Sequence, residues 1–122
     1  MWSWLVSVIR SFGPARAGLW WALKTQRNLQ VHAVATALVV IFGAGLKIEI
    51  WEWCAVSLAT GLVWAAELLN TAIEVLADRV SQEREDSIRR VKDAAAAAVL
   101  MAAVAALAVG MLVFLPKLWR LI

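Results

Sequence analysis

The chain has 122 residues, of which 63% are hydrophobic and 17% are charged, and its mean hydropathy is +0.76. This composition excludes an ordinary soluble domain, because a single core of this size leaves too little polar surface to keep so apolar a chain in solution. The lone Cys54 excludes an intrachain disulfide, and the net charge of +3 is not accompanied by a basic patch with exposed stacking aromatics, so we expect no nucleic-acid partner.

The N-terminal segment interleaves large apolar side chains with basic ones, at Arg10, Arg16, Lys24 and Arg27. Apart from an interruption expected at Gly13-Pro14, this pattern predicts a basic amphipathic helix over about residues 1–28. Such a helix lies on the membrane surface, with its apolar side chains in the lipid and its basic side chains among the headgroups.

Three apolar stretches follow, and we expect a membrane-spanning helix from each, at about residues 29–47, 52–78 and 92–116. The third contains 22 consecutive uncharged residues, 94–115, which exceeds the roughly 20 that cross a hydrocarbon core. Its alanine run places small residues four apart on every face, which favours close packing of helices in an oligomer. The sequence therefore predicts one all-α membrane domain.

Lysine and arginine are distributed unequally between the two sides of these spans. The N-terminal segment and the loop before the third span carry nine, whereas the opposite side carries three, Lys47, Lys117 and Arg120. By the positive-inside rule, the side with nine faces the cytoplasm. We therefore expect a multi-pass protein of the cytoplasmic membrane, with its N-terminus in the cytoplasm and its C-terminus outside.

The second span ends in "AELLNTAIEVLADRV", which brings acidic residues into an otherwise apolar helix. Glu67, Asn70, Glu74 and Asp78 follow the spacing i, i+3, i+7 and i+11, which confines them to a stripe about 80° wide on one face. Counted from Trp53 at the outer boundary, Glu67 lies about 21 Å deep, which is about 9 Å short of the cytoplasmic boundary of a ~30 Å core.

A structural explanation of this stripe is a helix that emerges into water, with Glu74 and Asp78 solvated and Glu67 either paired to a neighbouring helix or protonated. A charged residue below the interface costs about 2.5–3.5 kcal/mol on insertion scales, and such residues commonly serve a function. Asn70 and Glu74 on the same face as Glu67 favour a polar site. We interpret the stripe as such a site just beneath the cytoplasmic surface.

Carboxylates at this depth suit phosphoryl transfer from a soluble nucleotide to a lipid hydroxyl, which requires a base, a magnesium site of hard oxygen ligands and cations for phosphate. At the start of the third span, Lys92 can reach phosphate oxygens, and Asp93 either contacts the nucleotide or is an ordinary acidic residue at a helix N-terminus. The sequence contains no GxxxxGK[ST] loop and no HRD or DFG element, which excludes the familiar kinase folds.

The pattern E-x-x-N-[ST]-A-I-E-x-x-x-D from Glu67, followed by K-D-x-x-x-A-A-V from Lys92, resembles the small integral-membrane diacylglycerol kinases of bacteria and their undecaprenol kinase branch. The resemblance extends over nearly the whole chain. The "RNLQVH" that begins at Arg27 and the "EW" of Glu52 and Trp53 are more similar to the undecaprenol kinase branch.

This resemblance implies a homotrimer in the bacterial inner membrane, built from three-span protomers that each carry an N-terminal surface helix and share active sites. It implies that Glu67 is the general base for the lipid hydroxyl and that Asn70 orients Glu67 or the substrate. Glu74 would hold Mg²⁺ on the phosphates of the co-substrate ATP. The residues that would contact the nucleotide are Lys92, Asp93 and Glu83.

The chain departs from this family pattern at Gln26, where a second metal-binding glutamate is expected. An amide offers one carbonyl oxygen to Mg²⁺ but no charge, so metal affinity should fall. Gln26 is consistent with a natural variant, an altered metal preference or an engineered substitution, and also with a residue that only packs on the surface helix. The nearby His32 is interpreted as a helix-end or interface residue.

Three alternatives to an active lipid kinase follow from the sequence. A catalytically impaired member of the family would account for Gln26. A structural membrane scaffold would account for the spans but not for the shared stripe of Glu67, Asn70 and Glu74. A transporter or channel subunit would account for intramembrane carboxylates, but it predicts acidic residues at all depths, whereas the outer half of each span has none.

Overall fold

The computed structural model of the chain describes residues 1–81 and 85–122. The described residues form four helices: α1 (Trp2–Thr25), α2 (Arg27–Gly45), α3 (Ile50–Val80) and α4 (Asp86–Trp119). The last three are long and apolar enough to cross a membrane. The expectation of an all-α protein with three helices able to span a membrane is confirmed.

Helix α1 is exposed along most of its length, and Ala22 is its one fully buried residue within the described part of the chain. The interruption expected at Gly13-Pro14 is wrong, because α1 continues through Pro14. Proline inside a helix removes one backbone hydrogen bond, and its ring crowds the carbonyl four residues earlier, so this cost is local and the turns on either side keep their hydrogen bonds. The chain turns at Gln26, whose extended backbone separates α1 from α2.

Helix α4 begins at Asp86, six residues before the expected start of the third span at residue 92. Hydropathy marks where a helix enters lipid, whereas the helix itself extends further into water. Asp86 lies in the first turn, where a carboxylate interacts favourably with the positive end of the helix dipole. It also forms an exposed ion pair with Arg89, at 3.5 Å.

Helices α3 and α4 pack as an antiparallel pair with an ion pair near each end. Lys92 pairs with Asp78 at the end next to the loop between them, and Lys117 Nζ lies 3.1 Å from Glu52 Oε2 at the opposite end. The same Glu52 oxygen accepts a 2.8 Å hydrogen bond from the backbone N–H of Glu49, the N-cap of α3. Glu52 therefore joins the start of α3 to the end of α4.

The apolar core lies at the end of the three long helices opposite the α3–α4 loop, which we call the outer end after the orientation expected from the sequence. Val56 and Val113 are buried against Ile48, and the half-buried side chains around them complete the cluster. Nearby, α2 approaches α3 closely at the buried Gly43: a Cβ added there would lie 2.6 Å from Cη2 of Trp53. Trp53 thus packs inside the bundle as well as near the membrane boundary.

Gly43→Ala should destabilise the protein by about 1–3 kcal/mol, because the rigid indole of Trp53 can only move by disturbing the outer core. Gly45→Ala is the matched control, since a Cβ at Gly45 would meet no atom within 4 Å. Denaturation of both variants in the same detergent, followed by circular dichroism, measures the difference. Equal unfolding midpoints for the two variants would contradict this packing.

Candidate active site

The polar stripe of α3 becomes progressively more exposed toward the end of the helix. Glu67 is 2% exposed, Asn70 is 7% exposed and Thr71 is 4% exposed, whereas Glu74 is half-buried and Asp78 is exposed. A carboxyl group as deeply buried as that of Glu67 is unusual without an ionic partner or a metal. The helix therefore presents a buried carboxyl group from which Asn70 and Glu74 lead toward the exposed end of α3 next to the α3–α4 loop.

Small residues of α4 make room for this stripe. Counted from the Lys92–Asp78 ion pair in opposite directions along the two helices, Ala95 lies at the depth of Glu74 and Ala102 at that of Glu67, each to within one residue or about 1.5 Å. Both alanines are buried, at 7% and 5% exposure. Close approach of α4 at these two levels explains why the polar side chains of α3 are shielded.

Two oxygen atoms at this site lack hydrogen-bond partners among the described residues. They are Oε2 of Glu67 and Oδ1 of Asn70, and both are buried. The amide nitrogen of Asn70 donates to Glu74 Oε1 over 3.4 Å, a long hydrogen bond. A buried polar group without a partner costs about 1–3 kcal/mol, so these oxygens are suited to a further ligand that approaches between Glu67 and Asn70.

Lys92 and Asp93 lie on α4 at the cytoplasmic end predicted for this site. The ammonium group of Lys92 contacts Asp78, and both side chains are partly exposed. Asp93 is exposed and lies in the third turn of α4, so the alternative that it is a helix-start residue is wrong. Glu83, the third residue expected to contact the nucleotide, lies outside the described residues.

Gln26, at the junction of α1 and α2, lies at the depth of Glu74. The indole N–H of Trp64 donates to Thr36 Oγ1 over 2.9 Å, and this contact aligns α3 with α2. Gln26 lies ten residues before Thr36 and Glu74 lies ten residues after Trp64, so the two occupy one level. The Gln26 amide donates to Thr25 Oγ1 over 3.2 Å, and no hydrogen bond joins it to Glu74 within residues 1–81 and 85–122.

Sequence reasoning missed Thr71 as a member of the site. Its side chain is as buried as those of Glu67 and Asn70. Thr71 follows Glu67 by four residues, and this spacing alone places a hydroxyl group on the same face of α3. The spacing rule that identified Glu74 could therefore have identified Thr71, had hydroxyl groups been considered with the carboxylates.

The fold defines a multi-pass helical membrane protein. Its site has a buried carboxyl group (Glu67) and a buried amide group (Asn70), with Lys92 and Asp93 on α4 at the end next to the α3–α4 loop. The family model for prokaryotic diacylglycerol kinase matches residues 13–114. The chain belongs to this family and is a lipid kinase, which favours an enzyme over a scaffold or a transport subunit.

Individual relatives carry the names of both branches. The chain is 41% identical to the undecaprenol kinase of Bacillus subtilis over 109 residues, which cover 89% of each protein. It is 37% identical to a diacylglycerol kinase of Synechocystis sp. over 121 residues, which cover 98% of this chain and 69% of the relative. The diacylglycerol kinase of Escherichia coli K12 is 30% identical over 99 residues, 81% of each protein.

Ala102→Leu should destabilise the protein by about 1–3 kcal/mol, because the larger side chain must displace α3 at the level of Glu67. Ala105→Leu, on the exposed face of α4, is the matched control. Unfolding in a graded mixture of mild and denaturing detergent compares the two variants. If both variants unfold together with the unsubstituted protein, α4 does not approach α3 at Ala102.

Proposed function

We propose that the protein transfers the γ-phosphoryl group of ATP to the hydroxyl of a lipid alcohol at the cytoplasmic face of the bacterial inner membrane. The observation that carries this proposal is the buried Glu67 carboxylate, whose Oε2 has no partner among the described residues. Undecaprenol is favoured over diacylglycerol as the lipid, because 41% identity over 89% of both proteins relates the chain to a named undecaprenol kinase.

Glu67 acts as the general base in this proposal. Its free Oε2 accepts the proton of the lipid hydroxyl while the lipid oxygen forms a bond to the γ-phosphorus of ATP. The bond between the γ-phosphorus and the oxygen that bridges it to the β-phosphorus breaks at the same time, and ADP leaves. Asn70, one turn further along α3, has a free Oδ1 and holds Glu74 through its amide nitrogen. Asn70 therefore orients both the substrate and the second carboxylate.

The donor set fits a magnesium ion that is shared with the nucleotide. Mg²⁺ typically takes one or two protein carboxylates and completes its shell with phosphate oxygens and water. No group of three His, Cys, Asp or Glu residues suited to a metal occurs within the described part of the chain, so Glu74 would hold the ion together with ATP. Gln26 lies at the same depth and offers a neutral amide oxygen. When bound, the ion neutralises charge on the phosphates.

The mouth of the site supplies cationic and acidic contacts for the nucleotide. Lys92 is already held near the site by Asp78, and release from that exposed ion pair would cost only about 0–1 kcal/mol. Its ammonium group can therefore exchange Asp78 for phosphate oxygens. Asp93 follows Lys92 and is exposed, and we propose that it contacts the nucleotide. We propose the same role for Glu83, which lies between α3 and α4 in the sequence.

The proposed orientation and assembly follow from charge and exposure. Nine of the twelve Lys and Arg residues fall in the N-terminal segment and between the second and third spans, and by the positive-inside rule this distribution favours a cytoplasmic location for the N-terminus and the α3–α4 loop. Helix α1 exposes large apolar side chains beside Arg10 and Arg16, as expected at a membrane surface. A homotrimer would cover the half-buried Glu74 and complete a site that one protomer leaves open.

The experiment that tests this function is phosphate transfer from ATP to undecaprenol and to diacylglycerol, measured side by side in detergent with Mg²⁺. We expect the protein to phosphorylate undecaprenol faster, and Glu67→Gln to lower kcat by about 10²-fold or more with ATP binding retained, because general-base catalysis is typically worth that factor. If the unsubstituted protein transfers phosphate to neither lipid, the proposed function is refuted.

Glu85→Gln is the matched control for the loss of a carboxylate, since Glu85 is exposed at the start of α4. Its activity should equal that of the unsubstituted protein. If Glu67→Gln retains more than about a tenth of the activity, a loss below about 1.4 kcal/mol, Glu67 is not the base.

Gln26→Glu should raise the apparent affinity for Mg²⁺, because a carboxylate adds a negative charge and a stronger oxygen donor at the depth of Glu74. Asn28→Asp adds the same charge at an exposed position two residues away and serves as the control. Activity is titrated against Mg²⁺ at saturating ATP for all three proteins. Superimposable curves would show that Gln26 only packs at the junction of α1 and α2.

A further inference from the structure

A cavity of about 120 Å³ lies between α2, α3 and α4, on the outer side of Glu67. Its lining extends along α3 from Trp64 to Val56, eight residues or about 12 Å, so the cavity is long and narrow. Trp64 precedes Glu67 by three residues, which is about one helical turn. Glu67 is not itself a lining residue, and the inner end of the cavity lies about one helical turn from it.

The lining of this cavity changes from polar to apolar with distance from Glu67. The polar side chains His32 and Thr36 of α2 and Trp64 of α3 lie at the inner end, beside Ala35, Val63 and Ala106. Thr60 and Val109 lie between the two ends, and Val56 and Phe114 line the outer end. This order matches a molecule with a polar head toward the cytoplasm and a hydrocarbon body toward the outer leaflet.

At the inner end, the hydroxyl of Thr36 and the indole of Trp64 are already satisfied. Trp64 donates to Thr36, and Thr36 donates to the carbonyl of His32 over 2.7 Å. The imidazole of His32 has no hydrogen-bond partner among the residues that the structure describes. His32 lies four residues before Thr36, at the depth of Leu68 and thus within one residue of Glu67. A free imidazole and a free carboxylate oxygen therefore occupy one level.

The size of the cavity suits one hydrocarbon chain. The cavity is open at the side of the bundle, where the exposed Ala35 lines it. Its volume of about 120 Å³ is close to the roughly 150 Å³ that accepts a benzene molecule, so it has room for roughly one five-carbon isoprene unit or an equal length of alkyl chain. We propose that this cavity binds the first part of the hydrocarbon chain of a prenyl alcohol, with the hydroxyl between His32 and Glu67. This inference rests on the proposed function and specifies its lipid.

Polarity distinguishes the prenyl alcohol from a glycerolipid at this position. In a prenyl alcohol the hydrocarbon begins at the carbon that bears the hydroxyl, whereas diacylglycerol places two ester groups and a second chain there. Beyond the inner end, Thr60 is the one lining residue with a side-chain donor, because Thr36 and Trp64 already donate to other groups. Two buried ester carbonyls would therefore leave at least one carbonyl without a donor. The cavity therefore selects a single-chain alcohol for a physical reason that does not depend on the phosphate-binding residues.

Gly110 allows the cavity to be filled without a clash elsewhere. It lines the cavity, and a Cβ built on it meets no atom within 4 Å. Gly110→Leu should raise KM for undecaprenol at least about tenfold and leave KM for ATP unchanged. Gly61→Leu is the matched control, because Gly61 is also open around its Cβ but is exposed outside the cavity lining. Equal KM values for the two variants would overturn the proposal.

Photo-crosslinking tests occupancy without turnover. A short prenyl alcohol that carries a diazirine should label cavity residues such as Val63 and Ala106 in the unsubstituted protein and in Gly61→Leu, and this labelling should be lost in Gly110→Leu. Labels confined to outward faces of the helices, or labels that persist in Gly110→Leu, would overturn the proposal. This result stands even if the protein transfers no phosphate, which would refute only the proposed function.

A second pair of variants covers the case in which Gly110→Leu does not fold. Ala106→Leu fills the cavity from one turn earlier on α4, and Ala105→Leu places the same side chain on the exposed face. The same KM difference and the same loss of crosslinks are expected for Ala106→Leu relative to Ala105→Leu. Indistinguishable behaviour of this pair would overturn the proposal as well.

Discussion

The register of α3 against α4 is marked by the ion pairs Lys92–Asp78 and Lys117–Glu52 near the two ends, and the other features of the bundle depend on that register. A shift of α4 by one residue would rotate its buried face by about 100° and move Ala102 away from Glu67. With the observed register, a small residue lies opposite each deep polar group. The carboxyl group of Glu67 can therefore be buried in the interface between α3 and α4.

The bundle divides along its length into an outer half that holds the apolar core, with the Glu52–Lys117 ion pair at its end, and an inner half that holds the polar stripe of α3. Ile48, Val56 and Val113 pack together in the outer half, where Trp53 also closes on Gly43. In the inner half, buried oxygens of Glu67 and Asn70 lack partners among the described residues. Packing in the outer half therefore offsets the cost of an inner half prepared for ligands, and this division explains how a small membrane protein keeps an unsatisfied polar site.

Much of the candidate site could be predicted from spacing along one helix. Residues three, four and seven apart share a helix face irrespective of the tertiary fold, so the alignment of Asn70 and Glu74 with Glu67 was available from the sequence. The contact between Lys92 and Asp78 was not, because fourteen residues and a loop separate them. The depth shared by Gln26 and Glu74 likewise depends on how α2 aligns with α3.

The sequence by itself determined the three membrane spans, the all-α class and the acidic stripe, because hydropathy and helical periodicity are local properties. Only the tertiary structure showed that α4 begins at Asp86, that α1 continues through Pro14, and that Trp64, Thr36 and His32 enclose one end of a cavity. Helix ends in water leave little trace in hydropathy. A cavity depends on contacts between residues far apart in the chain, and these are decided by helix register and side-chain volume.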